Sequence, residues 1–509
     1  MPCYGEFVKS DCIIMLLYSN PAPSLYFRLL LTICSFCMCL NLAASDVERP
    51  NVLILSIDDL RPELGCYGAS HMVTPHIDAL AQSSTLFKRA YVQQAVCLPS
   101  RISLFTGMRP NSTGVHDLNT KFRQTIPDAV TMVQHFGAHG YQTIGMGKVY
   151  HDEQWKEWSQ WIDTHNLAGV NFYQAPATIA RMEVLKKEAR VKGLKGKLLR
   201  QYVKGPAYES ADAPDNAYLD GAMTDLAIKA LQQSRDVPFF MVVGFKKPHL
   251  PFVAPQKYWD LYDYEGLTLP DNYFQSKGAP GIAQMTWGEL RVYAGIPKKG
   301  PVSDAVGRQL IQGYYASVSF VDAQVGRLMA ALKEQGLADN TIVVLWGDHG
   351  WKLGEHAMWC KHTNYEIDAH VPFLIKAPGR EFQPGSTDAL VELLDLYPTL
   401  CDLAKLPTPS QCEGSSLVSL LQDPSAEWTE LAYSQYPRWG GVMGYSVKAP
   451  GGRYTEWLKK NTGKVVAREY YDHQLDPSEN LNRAGEADYA SVIESLSKAI
   501  AEERKRCEK

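Results

Sequence analysis

The chain has 509 residues, enough to bury a large core and to form more than one domain. Hydrophobic residues make up 45% and charged residues 21%, the content of an ordinary globular protein. A formal net charge of -4 excludes nucleic-acid binding through a global basic field, so any anion must be held by a local cluster of cations.

The first predicted element is a targeting segment. Arg28 precedes an apolar run from Leu29 to Leu40, and the small residues Ala43-Ala44-Ser45 follow. A charged flank, a short apolar core and a small-residue exit predict a secretory signal peptide over residues 1–44, cleaved near Ala44. The run is short for a bilayer helix of ~20 residues, and no later stretch reads as a membrane span. The expected destination is secreted or periplasmic, or lysosomal in a eukaryote. Cys3, Cys12, Cys34, Cys37 and Cys39 fall in the segment expected to be removed. The remaining Cys66, Cys97, Cys360, Cys401, Cys412 and Cys507 contain no CxxC pair, which argues against structural zinc. Cys401 and Cys412 are near enough in sequence for a local disulfide after export. Asn111-Ser112-Thr113 is a glycosylation sequon, relevant in a eukaryote.

Next comes Asn51-Val52-Leu53-Ile54-Leu55-Ser56-Ile57, nearly all apolar and ending abruptly in Asp58-Asp59. The design recurs at 239–245, followed by Lys246-Lys247-Pro248-His249, and at 341–346, followed by Gly347-Asp348-His349-Gly350. Short apolar runs of this kind suit strands buried on both faces of a largely parallel sheet. Each delivers polar residues past its carboxyl end, the edge at which open α/β sheets bind ligands. Between them, the stretch from Thr74 to Ala81 opens a helix, and Tyr314 to Gln335 reads as a long amphipathic helix stopped by Gly336. Alternation of this sort predicts an α/β layer structure. The basic stretch from Lys186 to Lys204 reads as a solvated helix face. From about Ala426, short aromatic-rich runs separated by Gly and Pro predict a small antiparallel sheet, closed by a helix from about Asp488. The expected division is a main domain over 46–425 and a smaller C-terminal domain over 426–509.

The strongest local signal is Cys97-Leu98-Pro99-Ser100-Arg101, followed by Thr106-Gly107. An isolated cysteine in a turn is usually a buried free thiol. This one resembles the sulfatase family, whose signature C-x-P-S-R-x-x-x-x-T-G is matched throughout. The resemblance implies that a maturation enzyme oxidises Cys97 to formylglycine, an aldehyde. Its hydrate carries two hydroxyls on one carbon: one attacks sulfur, and the other expels sulfate by collapse to the aldehyde. A serine would leave a sulfate ester that water must attack directly. Arg101 is close enough in sequence to orient the diol or its metal ligand.

Asp58-Asp59 and Asp348-His349 offer mostly oxygen ligands, which suit Ca2+, with Mg2+ the lesser fit. Adjacent acids after a strand are, taken alone, often solvated loop residues. The resemblance implies that Asp58, Asp59, Asp348 and His349, with the formylglycine oxygen of residue 97, ligate calcium; many relatives have Asn where this chain has His349. It further implies that Lys148 stabilises the diol, His151 takes its proton, His249 contacts sulfate and protonates the leaving oxygen, and Lys361 pairs with sulfate and shares the acid role. Imidazole suits proton transfer near neutral pH.

The likeness extends from about Asn51 to Ala484 and includes Gln93-Gln94-Ala95-Val96-Cys97, the stretch from Asp348 to His356, and Tyr433-Ser434-Gln435-Tyr436-Pro437-Arg438. It implies a large mixed sheet between helices, a small C-terminal sheet domain, and exo-action on 2-O-sulfated uronate of glycosaminoglycans. Sugar specificity sits in variable loops, so another sulfated polysaccharide stays open as substrate. A phosphoester or phosphonate hydrolase of the wider superfamily would carry a Thr or Ser nucleophile and two-metal ligands. An inactive carbohydrate-binding relative would have lost the nucleophile or the metal acids, and this chain keeps both.

Overall fold

The three apolar runs fold as adjacent strands in the middle of a nine-stranded sheet. The structure, a computed structural model, describes residues 49–151, 155–165, 167–233, 235–379, 381–428 and 431–507. The expected signal peptide of residues 1–44, with its cysteines, lies outside the described residues. The sheet contains β1 (Asn51–Asp58), β2 (Thr85–Tyr91), β3 (Gln142–Gly147), β4 (Gln160–Ile162), β5 (Phe239–Pro248), β6 (Thr341–Gly347), β7 (His370–Val371), β8 (Phe373–Lys376) and β9 (Gly385–Glu392). Their order is β7-β2-β8-β6-β1-β5-β3-β4, with β9 paired to β2. Strands β6, β1, β5, β3 and β4 run parallel, while β8 is antiparallel to β6 and β2. The expected mixed, mostly parallel α/β architecture is therefore present.

Alternate residues of β1 serve different cores, as a strand buried on both faces requires. Leu53, Leu55 and Ile57 pack with Leu310, Tyr314 and Val318, whereas Val52 and Ile54 pack with Ile102 and Phe105. The second core rests on helix α1 (Cys97–Thr106) and the first on helix α2 (Asp304–Glu334). Helix α2 starts ten residues before the expected Tyr314, where Ser303 Oγ accepts a hydrogen bond from the Val306 N–H at 3.4 Å. Gly307 and Gly313 interrupt the apolar pattern there because the helix packs too closely for a side chain. A Cβ on Gly313 would lie 2.7 Å from Trp259, and one on Gly307 2.4 Å from Leu269. The basic stretch forms parts of helices Pro176–Val191 and Gly196–Tyr202, where Ala189 is the buried residue, so it is a solvated face. Cys401 and Cys412 are both unbridged thiols. Among the described residues no helix is long and apolar enough to cross a membrane.

The C-terminal part is a four-stranded antiparallel sheet, β10 (Ala432–Arg438), β11 (Val442–Ala449), β12 (Gly452–Lys459) and β13 (Val465–Asp472), in that spatial order. Helix α3 (Ala490–Cys507) buries Leu496 and Ile500 against Val447, Tyr454 and Tyr470. Both sheets belong to one compact unit, Pro50–Lys509. A buried arginine links them. Arg453 of β12 meets Glu366 at 2.6 Å and Glu479 at 3.4 Å, with its guanidinium 5.3 Å from the Tyr91 ring of β2. Removing one partner of such a group strands the others without compensation. Arg453→Ala is expected to lower stability by about 3–5 kcal/mol in urea unfolding, with Arg453→Lys recovering only part because it lacks the planar fork.

Candidate active site

The carboxyl ends of β6, β1 and β5 lie level, since Ile57 pairs with both Gly347 and Phe245. Asp58 closes β1, and Asp59 follows in a left-handed conformation at φ 63°, which Asp tolerates better than most residues. The turn ends the strand's alternation and sends both carboxylates to the sheet edge. Asp348 and His349 follow β6, and the Asp59 N–H donates to Asp348 Oδ1 at 2.9 Å.

Cys97 is the first residue of α1, so its thiol sits at the positive end of the helix. Arg101 lies one turn on, on the same face, which explains the spacing of the motif. Its fully buried guanidinium donates from Nε to Asp348 Oδ2 at 2.9 Å and from Nη1 to Ser56 Oγ at 3.0 Å, and meets Asp58 Oδ1 at 3.3 Å. Ser100 Oγ donates to the Asp348 carbonyl. The helix ends at Thr106, and Gly107 takes the left-handed cap at φ 68°.

Cys97 Sγ lies 3.3 Å from His349 Nε2, 3.6 Å from Asp58 Oδ1 and 3.2 Å from Lys148 Nζ. Burial pushes the thiol up to about 12 although Lys148 pulls it down, so an unmodified Cys97 is a weak nucleophile at neutral pH. Ligand atoms of Asp58, Cys97, Asp348 and His349 all lie within 4.8 Å of one another, and Asp58, Asp59 and His249 form an overlapping set. His349 Nδ1 contacts the Gly350 carbonyl at 3.0 Å and so carries the proton. Its Nε2 lone pair then faces carboxylate oxygens of Asp59 at 3.4 Å and Asp348 at 3.5 Å. Three carboxylates and an imidazole lone pair converging on one buried point fit a cation. Burial raises Asp59 well above the ordinary carboxylate range despite Lys361, whereas Lys148, His249 and Arg101 outweigh burial and hold Asp58 well below it. A divalent ion would relieve the buried acid at Asp59.

Facing the acids is a group of cations. Lys148, just past β3, pairs with Asp58, and Lys361 Nζ pairs with Asp59 Oδ1 at 3.0 Å. His249 follows β5, with Nδ1 2.7 Å from the Leu250 carbonyl. Sequence reasoning missed the group that joins these residues. Glu289 Oε1 lies 2.9 Å from both His249 Nε2 and Lys361 Nζ, and its Oε2 is 3.3 Å from His362 Nε2. Burial works against this carboxylate's charge, yet Lys361, His249 and His362 hold it well below its ordinary range. Glu289 sits on the short helix Gly288–Arg291, which follows Trp287 at a strained φ of 41°. Nothing in an irregular Trp-Gly-Glu-Leu stretch flags such a contact. His151 is placed differently from the other expected residues. It lines a cavity beside Lys148 and His249, and among the described residues no hydrogen bond joins it to Cys97.

Cations set opposite a cluster of metal-ready acids at a parallel sheet edge define a hydrolase for an anionic ester. Comparison with known proteins narrows that class. The sulfatase family model matches residues 50–406, and a model of the C-terminal part of N-sulphoglucosamine sulphohydrolases matches 354–506. The iduronate 2-sulfatase of Mus musculus is 33% identical, covering 94% of this chain and all of that one. A structure solved in complex with its substrate D-glucosamine-2-N,6-O-disulfate shares the fold at TM-score 0.71 and 23% identity, over 91% of this chain and 98% of that one. A phosphonate monoester hydrolase of Silicibacter pomeroyi also reaches TM-score 0.71 at 23% identity, over 90% of this chain and 96% of that one. The chain belongs to the sulfatase family. It is a sulfuric ester hydrolase.

The carboxylate of Glu289 engages the cations that an anionic ester would need. Glu289→Gln removes that competing charge and is expected to lower the KM for an aryl sulfate several-fold. A raised KM would show that the carboxylate instead holds the two imidazoles in place for substrate.

Proposed function

We propose that the enzyme removes the 2-O-sulfate from terminal uronate residues of a sulfated glycosaminoglycan, acting on chain ends in the manner of an iduronate 2-sulfatase. Similarity to that enzyme along nearly the whole chain supports the substrate class. The observation that carries the reaction is the meeting of Cys97 with Asp58, Asp348, His349 and Lys148 in one buried cluster. In this reading residues 46–425 form the catalytic domain and 426–509 the smaller one. Residues 1–44 direct export and are removed, which places the enzyme outside the cytoplasm: secreted, periplasmic, or lysosomal in a eukaryote.

Asp58, Asp59, Asp348 and His349 would hold Ca2+ together with an oxygen on residue 97; the mainly carboxylate donor set favours Ca2+ over Mg2+. When bound, that ion supplies positive charge against the sulfate oxygens. A maturation enzyme would convert Cys97 to formylglycine, whose hydrate supplies the nucleophilic hydroxyl. Arg101 positions the carboxylates of Asp58 and Asp348 and touches no substrate itself. Lys148 stabilises negative charge at residue 97, and His151 accepts a proton from it as sulfate leaves. Lys361 pairs with a sulfate oxygen. His249, with Nδ1 on the Leu250 carbonyl and Nε2 beside Glu289, would give a proton from Nε2 to the leaving sugar oxygen as the sulfur–oxygen bond breaks, acting from its doubly protonated form, which the Glu289 carboxylate favours.

Mass spectrometry of the Cys97 peptide from the native host is expected to show an aldehyde or its hydrate, and an unmodified thiol would sink this mechanism. Cys97→Ala should lower kcat by roughly 10^4-fold or more. Among defined disaccharides carrying 2-O-, 6-O- or N-sulfate, the 2-O-sulfated uronate should be hydrolysed, and turnover of the 6-O-sulfate alone would overturn the substrate assignment. EGTA is expected to lower both activity and the thermal midpoint, with Ca2+ restoring both, because an ion bound only by the folded state stabilises it by mass action.

A further inference from the structure

A cavity of about 700 Å³ opens beside Lys148, His151 and His249, and its remaining wall comes from residues that the sulfate chemistry does not use. That volume suits a ligand well beyond a single sulfate group. Aromatic side chains line part of it, among them Trp161, Phe172 and Tyr218, and Phe172 is 42% exposed. An aromatic face left open on a cavity wall suits the apolar C–H face of a sugar ring.

Three lysines line this cavity, and they differ in how their charge is satisfied. Lys148 is paired with Asp58 and Cys97. Lys247 is buried and donates from Nζ to the carbonyls of His249, at 2.7 Å, and Pro251. Lys246, on β5 three residues before His249, has no hydrogen-bond acceptor or ion-pair partner for its ammonium among the described residues. Its Nζ lies 4.9 Å from the centre of the Phe172 ring. The nearby carboxylate of Asp220 accepts the main-chain N–H groups of Lys246 and Lys247 at 2.9 and 2.8 Å, which fixes the backbone that aims the side chain. Burial, then repulsion from Lys148, lowers the proton affinity of Lys246, as befits an ammonium lacking a partner. A half-buried ammonium on a cavity wall, with no ion-pair partner among the described residues, suits an anion brought by the ligand.

We propose that Lys246 binds a second anionic group on the substrate, the carboxylate of the uronate ring, while Phe172 lies against the ring itself. This rests on the 2-O-sulfated uronate reading above and deepens it. In a pyranose, C2 and C5 stand opposite one another. A uronate with its ester on O2 therefore carries its carboxylate at the far edge of the ring from its sulfate. The same cavity wall carries the sulfate-directed Lys148 and His249 and, on Lys246, an ammonium that has no partner among the described residues. A neutral sulfated hexose would leave that ammonium unpaired and would bind less well.

The test is a ratio of kcat/KM values for a 2-O-sulfated uronate disaccharide and for the same disaccharide with its carboxyl reduced to a hydroxymethyl group. The wild-type enzyme should favour the uronate. Lys246→Met should reduce the ratio about 10- to 100-fold, mainly through KM, as expected for loss of a charge-assisted hydrogen bond, and Lys246→Arg should retain most of it. An unchanged ratio in Lys246→Met overturns the proposal. If that variant does not fold, the wild-type enzyme still decides, since equal kcat/KM for the two substrates also overturns it. Failure of the wild-type enzyme on both disaccharides, with turnover of a 6-O- or N-sulfated sugar, overturns the underlying substrate reading and this proposal with it. That outcome is visible before any variant is made.

Discussion

The site depends on crowding three carboxylates, those of Asp58, Asp59 and Asp348, into an interior without solvent exposure. Isolated, they could not stay ionised, because burial penalises each charge and each raises its neighbours. Arg101, Lys148 and Lys361 offset them, but Lys361 is shared with Glu289, and the opposed shifts of Asp58 and Asp59 show that the charge is met unevenly. Four carboxylates, Glu289 included, then face three basic side chains, and a divalent ion among them would still leave a surplus of positive charge. An anionic ester is what neutralises it. Substrate affinity for an anion thus follows from the architecture of a chain whose overall charge is negative.

Arg101 ties this electrostatic arrangement to the fold. Its guanidinium touches Asp58 and Ser56 at the end of β1, Asp348 after β6, and the Val149 carbonyl beyond β3. Three strand ends are therefore joined by one side chain from the second turn of α1, the helix that also presents Cys97. Helix dipole, i,i+4 spacing and strand register have to agree for this to happen. A lysine would carry the charge but could not satisfy so many acceptors in a plane.

How legible this was depended on whether a feature is local in sequence. Three of the buried parallel strands could be read because each is a short, continuous apolar run ending in charge, and Asp58, His249 and Asp348 are placed by those endings, whereas Lys148, past the unexpected β3, was legible only through the family resemblance. Cys97 and Arg101 could be read because one helical turn separates them. Strands β7 and β8, whose antiparallel pairing converts a parallel sheet into a mixed one, carry no comparable signal, and the start of α2 was hidden by glycines whose purpose is close packing. Glu289 was invisible for a different reason. It lies on a one-turn helix in irregular chain, and its partners His249, Lys361 and His362 come from elsewhere in the sequence. Only closure of the fold makes it part of the site.

The fold does not choose the chemistry. A phosphonate monoester hydrolase and a chain solved with a disulfated glucosamine superimpose equally well on this one. Both kinds of ester present a tetrahedral anion, and the same sheet edge with acids on one side and cations on the other can receive either. What separates such reactions must lie in the side chains around the anion and not in the fold. Burial leaves the unmodified thiol poorly reactive, which is why the proposed mechanism needs residue 97 to be converted before it can attack. Beyond the anion itself, discrimination is proposed to fall to the cavity wall, where an aromatic face and an ammonium with no partner among the described residues would reward a ring carrying a second negative charge. Reaction type and substrate choice are therefore set by different residues, and the loops that bear the second set can change while the buried acids remain fixed.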